Sequence, residues 1–279
     1  MLKFILSGLF VVSLCGCFQN REAPRRLVTA DSVVEISSLA GTVESVVLRE
    51  KNLKLVPSQL VQCPKLEELH LRGNPGISGF GCFRSLAQLK LLDCSECELS
   101  RMPQELFSLK GLEKLYWSDN GCREVPQELA QLTSLRYINL DRNRIAALPD
   151  CFASLPGLRW LRLNENHLSS LPQSISSLKS LQRVYLKKNR ISEVPECLRN
   201  LPLLEDLDLS DNPLAAVPEW LAELPKLRQL NLDRTGVTTL PVNLEGWKTL
   251  QVLSLVRCKL SAAERDRLRR ALPDTHIAF

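Results

Sequence analysis

Apolar residues return along this chain in a fixed phase of 23 residues, from Val43 to Thr249, without insertion or deletion. The copies begin at Val43, Leu66, Leu89, Leu112, Leu135, Leu158, Leu181, Leu204 and Leu227, and an incomplete tenth begins at Leu250. In the central copy, slots 1, 4 and 6 are Leu135, Ile138 and Leu140. Alternation at slots 4 and 6 has a period of two and predicts a short strand with one buried face. Slot 9 is asparagine at Asn74, Asn120, Asn143, Asn166, Asn189 and Asn212. An amide both donates and accepts, so a stacked ladder of them can satisfy turn backbone that would otherwise be buried unpaired. Slots 14 and 15 are usually apolar–Pro, as in Leu148–Pro149 and Leu171–Pro172. Proline lacks an N–H and fixes φ, which predicts it in the first turn of a short helical return segment. Apolar slots 18 and 21 (Phe152 and Leu155) turn that segment inward.

One such copy cannot bury its own apolar edge, but stacked copies share a continuous core in a curved solenoid. Parallel strands about 4.8 Å apart would line the concave side, and ten of them span roughly 43 Å of arc, enough to hold a folded partner. The repeated sentence LxxLxLxxN, xIxxLP, xxFxxL resembles the 23-residue Leu-Pro class of leucine-rich repeat proteins, found in bacterial proteins and in Ras-group scaffolds of plants and animals. That resemblance implies an α/β leucine-rich repeat solenoid, with a curved parallel sheet on the concave side and short helical or 3-10 segments on the convex side. It is weak for function, because the repeat slots are structural and the variable slots choose the ligand.

The ends of the chain read differently. Residues 1–16 open with Lys3 and an apolar run from Phe4 to Leu14. That run is shorter than the roughly 20 residues of a membrane-spanning helix and fits a secretory signal peptide. Leu14-Cys15-Gly16-Cys17 resembles a bacterial lipobox, although Cys15 departs from the small residues usual at that place. The resemblance implies lipid attachment at Cys17 and a bacterial cell-envelope location. Phe18 after the cysteine, where an Asp often signals inner-membrane retention, favours the outer membrane over the inner. Residues 17–30 are polar and basic and read as a flexible tether. Residues 31–42 hold Ser32 and Glu35 at capping-box spacing and predict a helical N-terminal cap. The ten repeats occupy 43–260, and 261–279 predict a C-terminal cap helix opened by Ser261 and Glu264, with Arg265, Arg267, Arg269 and Arg270 on or near its exposed side. Copy two is irregular: Gly76 and Gly79 hold apolar slots and Phe80 replaces the proline.

Composition narrows the function. The formal net charge of +5, interleaved with acids, gives no footprint for nucleic acid. Eight of the ten cysteines would remain beyond Cys17, all on repeat slots, where cysteine behaves as a small hydrophobe. An oxidising compartment permits disulfides, and Cys63–Cys82 and Cys97–Cys122 lie in adjacent copies. Cys94 and Cys97 form a CxxC, but both occupy inward slots and no second pair completes a zinc tetrad. His70, His167 and His276 show no catalytic or metal-binding spacing, and no phosphate loop is present. The pattern therefore predicts neither an enzyme nor a cofactor or metal site.

The variable strand slots carry the binding chemistry. Slot 5 runs Tyr116, Asn139, Arg162, Tyr185 across copies four to seven, and slot 3 runs Tyr137, Trp160, Arg183 across copies five to seven. Arg159 at slot 2 and Lys187 at slot 7 flank them. Neighbouring strands bring these within stacking reach, and clustered Tyr, Trp and Arg are what interface hot spots are made of. Rings packed only on one another would be the alternative. Arg136, Arg142, Arg159, Arg162, Arg183, Lys187 and Lys188 outnumber Asp141 and Glu165 here, while copy eight carries Glu205, Asp206, Asp208 and Asp211. This predicts a basic-aromatic centre between acidic flanks, binding a protein partner, with a glycan ranked below. Two other readings compete: an envelope protein cross-linked through cysteines, and an intracellular Ras-group-like scaffold if the N-terminus is not a signal.

Overall fold

The computed structural model describes residues 40–279 and the backbone of Leu27–Thr29. Cys17, the signal and the predicted cap helix at 31–39 lie outside the described residues.

A single all-parallel sheet runs in sequence order. Its strands are β1 (Leu27–Thr29), β2 (Ser45–Val47), β3 (Glu68–His70), β4 (Leu91–Asp93), β5 (Lys114–Tyr116) and β6 (Tyr137–Asn139), then β7 (Trp160–Arg162), β8 (Arg183–Tyr185), β9 (Asp206–Asp208), β10 (Gln229–Asn231), β11 (Val252–Ser254) and β12 (His276–Ala278). Register from β2 to β11 steps by the repeat, as in Tyr137 opposite Trp160 and Trp160 opposite Arg183. Slots 1, 4, 6, 11, 18 and 21 of the central copy are completely buried. The core is thus one continuous column behind the sheet, closed by 3-10 turns such as Gln127–Gln131, Gln173–Ser177 and Glu196–Asn200.

The asparagine ladder forms as expected. Asn143 Oδ1 accepts from Cys122 N at 3.1 Å, and its Nδ2 donates to Trp117 O at 2.9 Å and Leu140 O at 3.1 Å. Asn166, Asn189 and Asn212 repeat the arrangement.

Five expectations need correcting. Prolines stand just before the 3-10 turns, in extended conformation, rather than inside them: Pro126 has φ −74° and ψ 154°, Pro172 φ −68° and ψ 152°. The ring still blocks an N–H where none is needed, but as a cap rather than a first turn. Leu27–Thr29, read as tether, pair with β2 and extend the sheet. The C-terminal cap is a helix and a strand. Helix α1 (Ala262–Ala271) replaces a 3-10 turn and delivers β12 onto β11, with His276 opposite Val252. Its arginines are partly consumed by the fold: Arg267 Nη2 donates to Leu240 O and Pro241 O at 3.1 Å, while Arg265 and Arg269 lie over the Phe279 ring. All eight cysteines among the described residues are buried free thiols, so the Cys63–Cys82 and Cys97–Cys122 pairs do not form. Cys97 Sγ instead donates to Leu71 O and Ser95 O at 3.3 Å, and Cys122 Sγ to Glu124 O at 3.0 Å. Burial raises the Cys63, Cys82, Cys94, Cys97, Cys122, Cys151 and Cys197 thiols, the last to about 11.

Candidate functional site

From β2 to β11 each strand is three residues long and its middle residue is buried, so the flanking two face outward on the concave side. Two outward rows result. Slot 3 sets Lys114, Tyr137, Trp160, Arg183 and Asp206 opposite one another, and slot 5 sets Tyr116, Asn139, Arg162, Tyr185 and Asp208.

Contacts join the rows into a band. Tyr116 and Tyr137 have ring centroids 4.8 Å apart, tilted by 36°. Tyr137 and Trp160 follow at 5.7 Å and 54°. The Arg183 guanidinium lies 4.3 Å over the Trp160 ring. Beside this stack, Arg162 sits 5.2 Å over Tyr185 and donates to Asp141 Oδ2 at 2.8 Å from Nε and 2.6 Å from Nη2. Asp141 is 1% exposed, and its other oxygen accepts from Asn164 N at 2.7 Å. Tyr185 Oη donates to Asp206 Oδ2 at 2.6 Å. Burial pushes the Tyr185 phenol up and the Asp206 charge adds to this, so the proton stays on the tyrosine. Burial also raises the Tyr137 phenol.

The structure therefore brings together Tyr116, Tyr137, Trp160, Arg162, Arg183 and Tyr185. Asn139 lies among them but serves its own turn, accepting from Asp141 N at 3.0 Å. Arg159 precedes β7, is exposed, and has no ion-pair partner among the described residues. Lys187 lies past β8 and faces Asp211 Oδ2 at 3.9 Å. The rings are half-buried against one another, so the band combines the self-packed ladder with an exposed edge.

The basic centre is a different matter. Its cations are largely neutralised by carboxylates of neighbouring copies: Arg136 by Glu113, Arg142 by Asp119, Arg162 by Asp141 and Lys188 by Glu165. The acidic flank is likewise engaged, with Arg234 on Asp211. Slot 8 explains part of this. It is left-handed in every complete copy, with φ of 56° at Asp119, 53° at Arg142, 53° at Glu165, 56° at Lys188 and 56° at Asp211. The shared backbone turn points these side chains along one line, where acid and base alternate.

A second feature escaped the sequence reading. A cleft of about 350 Å³ lies at the N-terminal end of the concave face, lined by residues that include Arg49, His70, Arg72, Asp93, Tyr116 and Arg142. Asp93 is 7% exposed. Burial works against its charge, but the neighbouring His70 ring, the bond from Ser95 N and the charge of Arg49 hold its carboxyl below the usual range. Reading slot 5 two copies further back, His70 then Asp93 then Tyr116, would have exposed the cluster; catalytic spacing in sequence does not.

Residues 120–229 match the family described as a leucine-rich repeat region, residues 87–145 another leucine-rich repeat family, and residues 62–82 a third. No curated protein sequence matches the chain. Among solved structures it is similar to a leucine-rich repeat protein of Leptospira interrogans, at 27% identity and a TM-score of 0.59 over 88% of this chain and 74% of that one. It is also similar to an internalin from Listeria monocytogenes, at 22% identity and a TM-score of 0.76 over 87% of this chain and 69% of that one. The ectodomain of the plant receptor kinase GASSHO1/SCHENGEN3 from Arabidopsis thaliana, solved in complex with Casparian strip integrity factor 2, is similar at 21% identity and a TM-score of 0.63, over 81% of this chain and 31% of that one.

Proposed function

We propose that this leucine-rich repeat protein is a non-catalytic module that binds a protein partner on its concave face, through the band centred on Trp160. One observation carries the reading. The Tyr116–Tyr137–Trp160 stack, closed by Arg183, is a preassembled aromatic edge that spends little further side-chain entropy on contact. Its rings are held by the sheet, so the surface is rigid before a partner arrives. The Arabidopsis ectodomain, solved with a bound factor, supports a binding role for this architecture. Buried thiols, raised by desolvation, count against the cysteine cross-linked alternative.

We also propose that Cys17 carries lipid and holds the solenoid at a bacterial envelope membrane, the outer in preference to the inner. The Leu14–Cys17 motif is the support for this. Confinement at a surface would raise the effective concentration for a partner there.

Trp160→Ala tests the binding reading. Partner affinity should fall about thirtyfold, the loss of a hot spot worth about 2 kcal/mol. Stability to urea should fall by less than about 1 kcal/mol, the scale of a cross-strand pair. Gln173→Ala on the convex side should change neither. Equal capture by the wild type and Trp160→Ala would sink the proposal.

A further inference from the structure

The N-terminal cleft has a definite origin. At slot 7, copies three and four carry Ser95 and Ser118, both buried, where the copies on either side carry Arg72 and Asp141. Two small side chains in succession leave a depression, and Arg49, Arg72 and Arg142 stand around it. Their side chains are 47%, 47% and 49% exposed. Arg72 pairs with Glu96, Arg142 with Asp119, and Arg49 faces Asp93 at 3.6 Å. A guanidinium has five N–H donors and a carboxylate engages two of them in a fork, so each arginine keeps donors for a ligand. With His70 neutral, three arginines face the four carboxylates Glu68, Asp93, Glu96 and Asp119, and a proton on His70 brings the cluster to balance.

His70 is placed to set that balance. Arg49 Nη2 lies 2.9 Å from His70 Nδ1. A guanidinium only donates, so Nδ1 accepts, and the neutral ring keeps its hydrogen on Nε2, 3.8 Å from Glu68 Oε2. Asp93 Oδ2 is 3.9 Å from the same Nδ1. A proton on Nδ1 turns it from acceptor to donor. The ring then takes Asp93, and Arg49 loses its acceptor. The groups facing His70 are Arg49 after β2, Glu68 on its own strand and Asp93 on β4, with Tyr116 of β5 on the far side of the cleft. Asp93 and Glu68 raise the imidazole above its usual range against burial and Arg49.

We propose that this cleft binds carboxylate side chains of an acidic protein segment, with one proton taken up on His70 and Arg49 released to meet the ligand. The inference rests on the concave face being the partner surface, and names the chemistry at one end of it. Tyr116 and Asn139 line the cleft and also belong to the aromatic band, so one segment can reach both. Charge selects the occupant: a basic segment meets three arginines, and a neutral one leaves the freed Arg49 without a counter-charge.

The test uses the full chain and an acetylated tetraglutamate peptide, titrated by calorimetry from about pH 5 to about pH 9 while His70 is followed by imidazole NMR. Above the His70 transition the Kd should rise about tenfold per pH unit, one proton per ligand, and the peptide should raise the His70 midpoint reciprocally. His70→Gln should bind with a flat pH profile, and Arg49→Gln should weaken binding about tenfold at the acid end. Melting curves of both variants check that they fold. No binding at any pH, a Kd independent of pH in the wild type, or the same slope in His70→Gln would overturn the proposal. A proton-linked peptide site alongside unchanged partner capture in Trp160→Ala would uphold the cleft and remove only the aromatic-band reading.

Discussion

Slot 9 shows how one atom decides a turn. Asparagine there accepts from slot 11 of the copy before it and donates to two carbonyls, so three backbone groups depend on one amide. Copy three has Cys97 instead, whose thiol donates to Leu71 O but offers no carbonyl to accept with. The preceding turn, in copy two, compensates. Gly76 N bonds to Cys97 O at 2.9 Å, with positive φ at Gly73, Gly76 and Gly79, and Ile77 moves into the core. The irregular copy is thus the partner of an unusual residue in the next copy, and sequence read copy by copy could not connect the two. Asn143→Ala should cost about 2–4 kcal/mol in urea denaturation, because it strands a buried N–H and two carbonyls. Asn139→Ala, which frees one turn N–H beside solvent, should cost about 1 kcal/mol. Equal costs would mean that the ladder is not the principal brace of the turns.

At the scale of elements, periodicity made most of the solenoid legible, since slots 4 and 6 locate each strand and slot 9 each turn. It was silent on slot 8, where Asp, Glu, Arg and Lys share a left-handed backbone that sequence pattern does not announce. That conformation aligns side chains of successive copies and neutralises a centre that reads as basic from residue counts. The cap shows a similar split. Ser261 Oγ accepts from Glu264 N at 3.1 Å, as the capping box predicts, but the Glu264 carboxylate reaches Leu240 N at 2.8 Å and Arg267 rather than its own N-cap. Arg267 holds Glu264 below the usual glutamate range, against a smaller opposing effect of burial. A lowered folded value means stability present above the unfolded pKa and lost as pH falls through the folded one. Acidification from about pH 6 to about pH 3 should therefore destabilise the wild type more than Arg267→Ala, which lacks the linkage. Parallel stability curves for the two in urea melts would contradict the assignment.

At the scale of the molecule, the described residues form a column of nearest-neighbour contacts, with twelve strands spanning roughly 53 Å at the usual spacing. Its curved sheet was predictable, because nine in-phase copies leave no other way to bury their leucines. The candidate site was legible as a set of residue types, but not as a circuit. Asp141 under Arg162 and Asp206 beyond Tyr185 complete the band from neighbouring copies. Anchoring belongs to this scale too. Fatty-acid labelling should mark the native chain and not Cys17→Ser, with the variant released from membranes; label on both, or on neither, would remove Cys17 as the anchor. The central claim is that partners meet the concave band, and hydrogen–deuterium exchange of the complex tests it most directly. Protection is expected in the peptides that carry the strands themselves, Lys114–Tyr116, Tyr137–Asn139, Trp160–Arg162 and Arg183–Tyr185, with the convex turns Gln127–Gln131 and Gln173–Ser177 between them unchanged. Protection on those turns, with β5 to β8 exchanging as in the free protein, would contradict it.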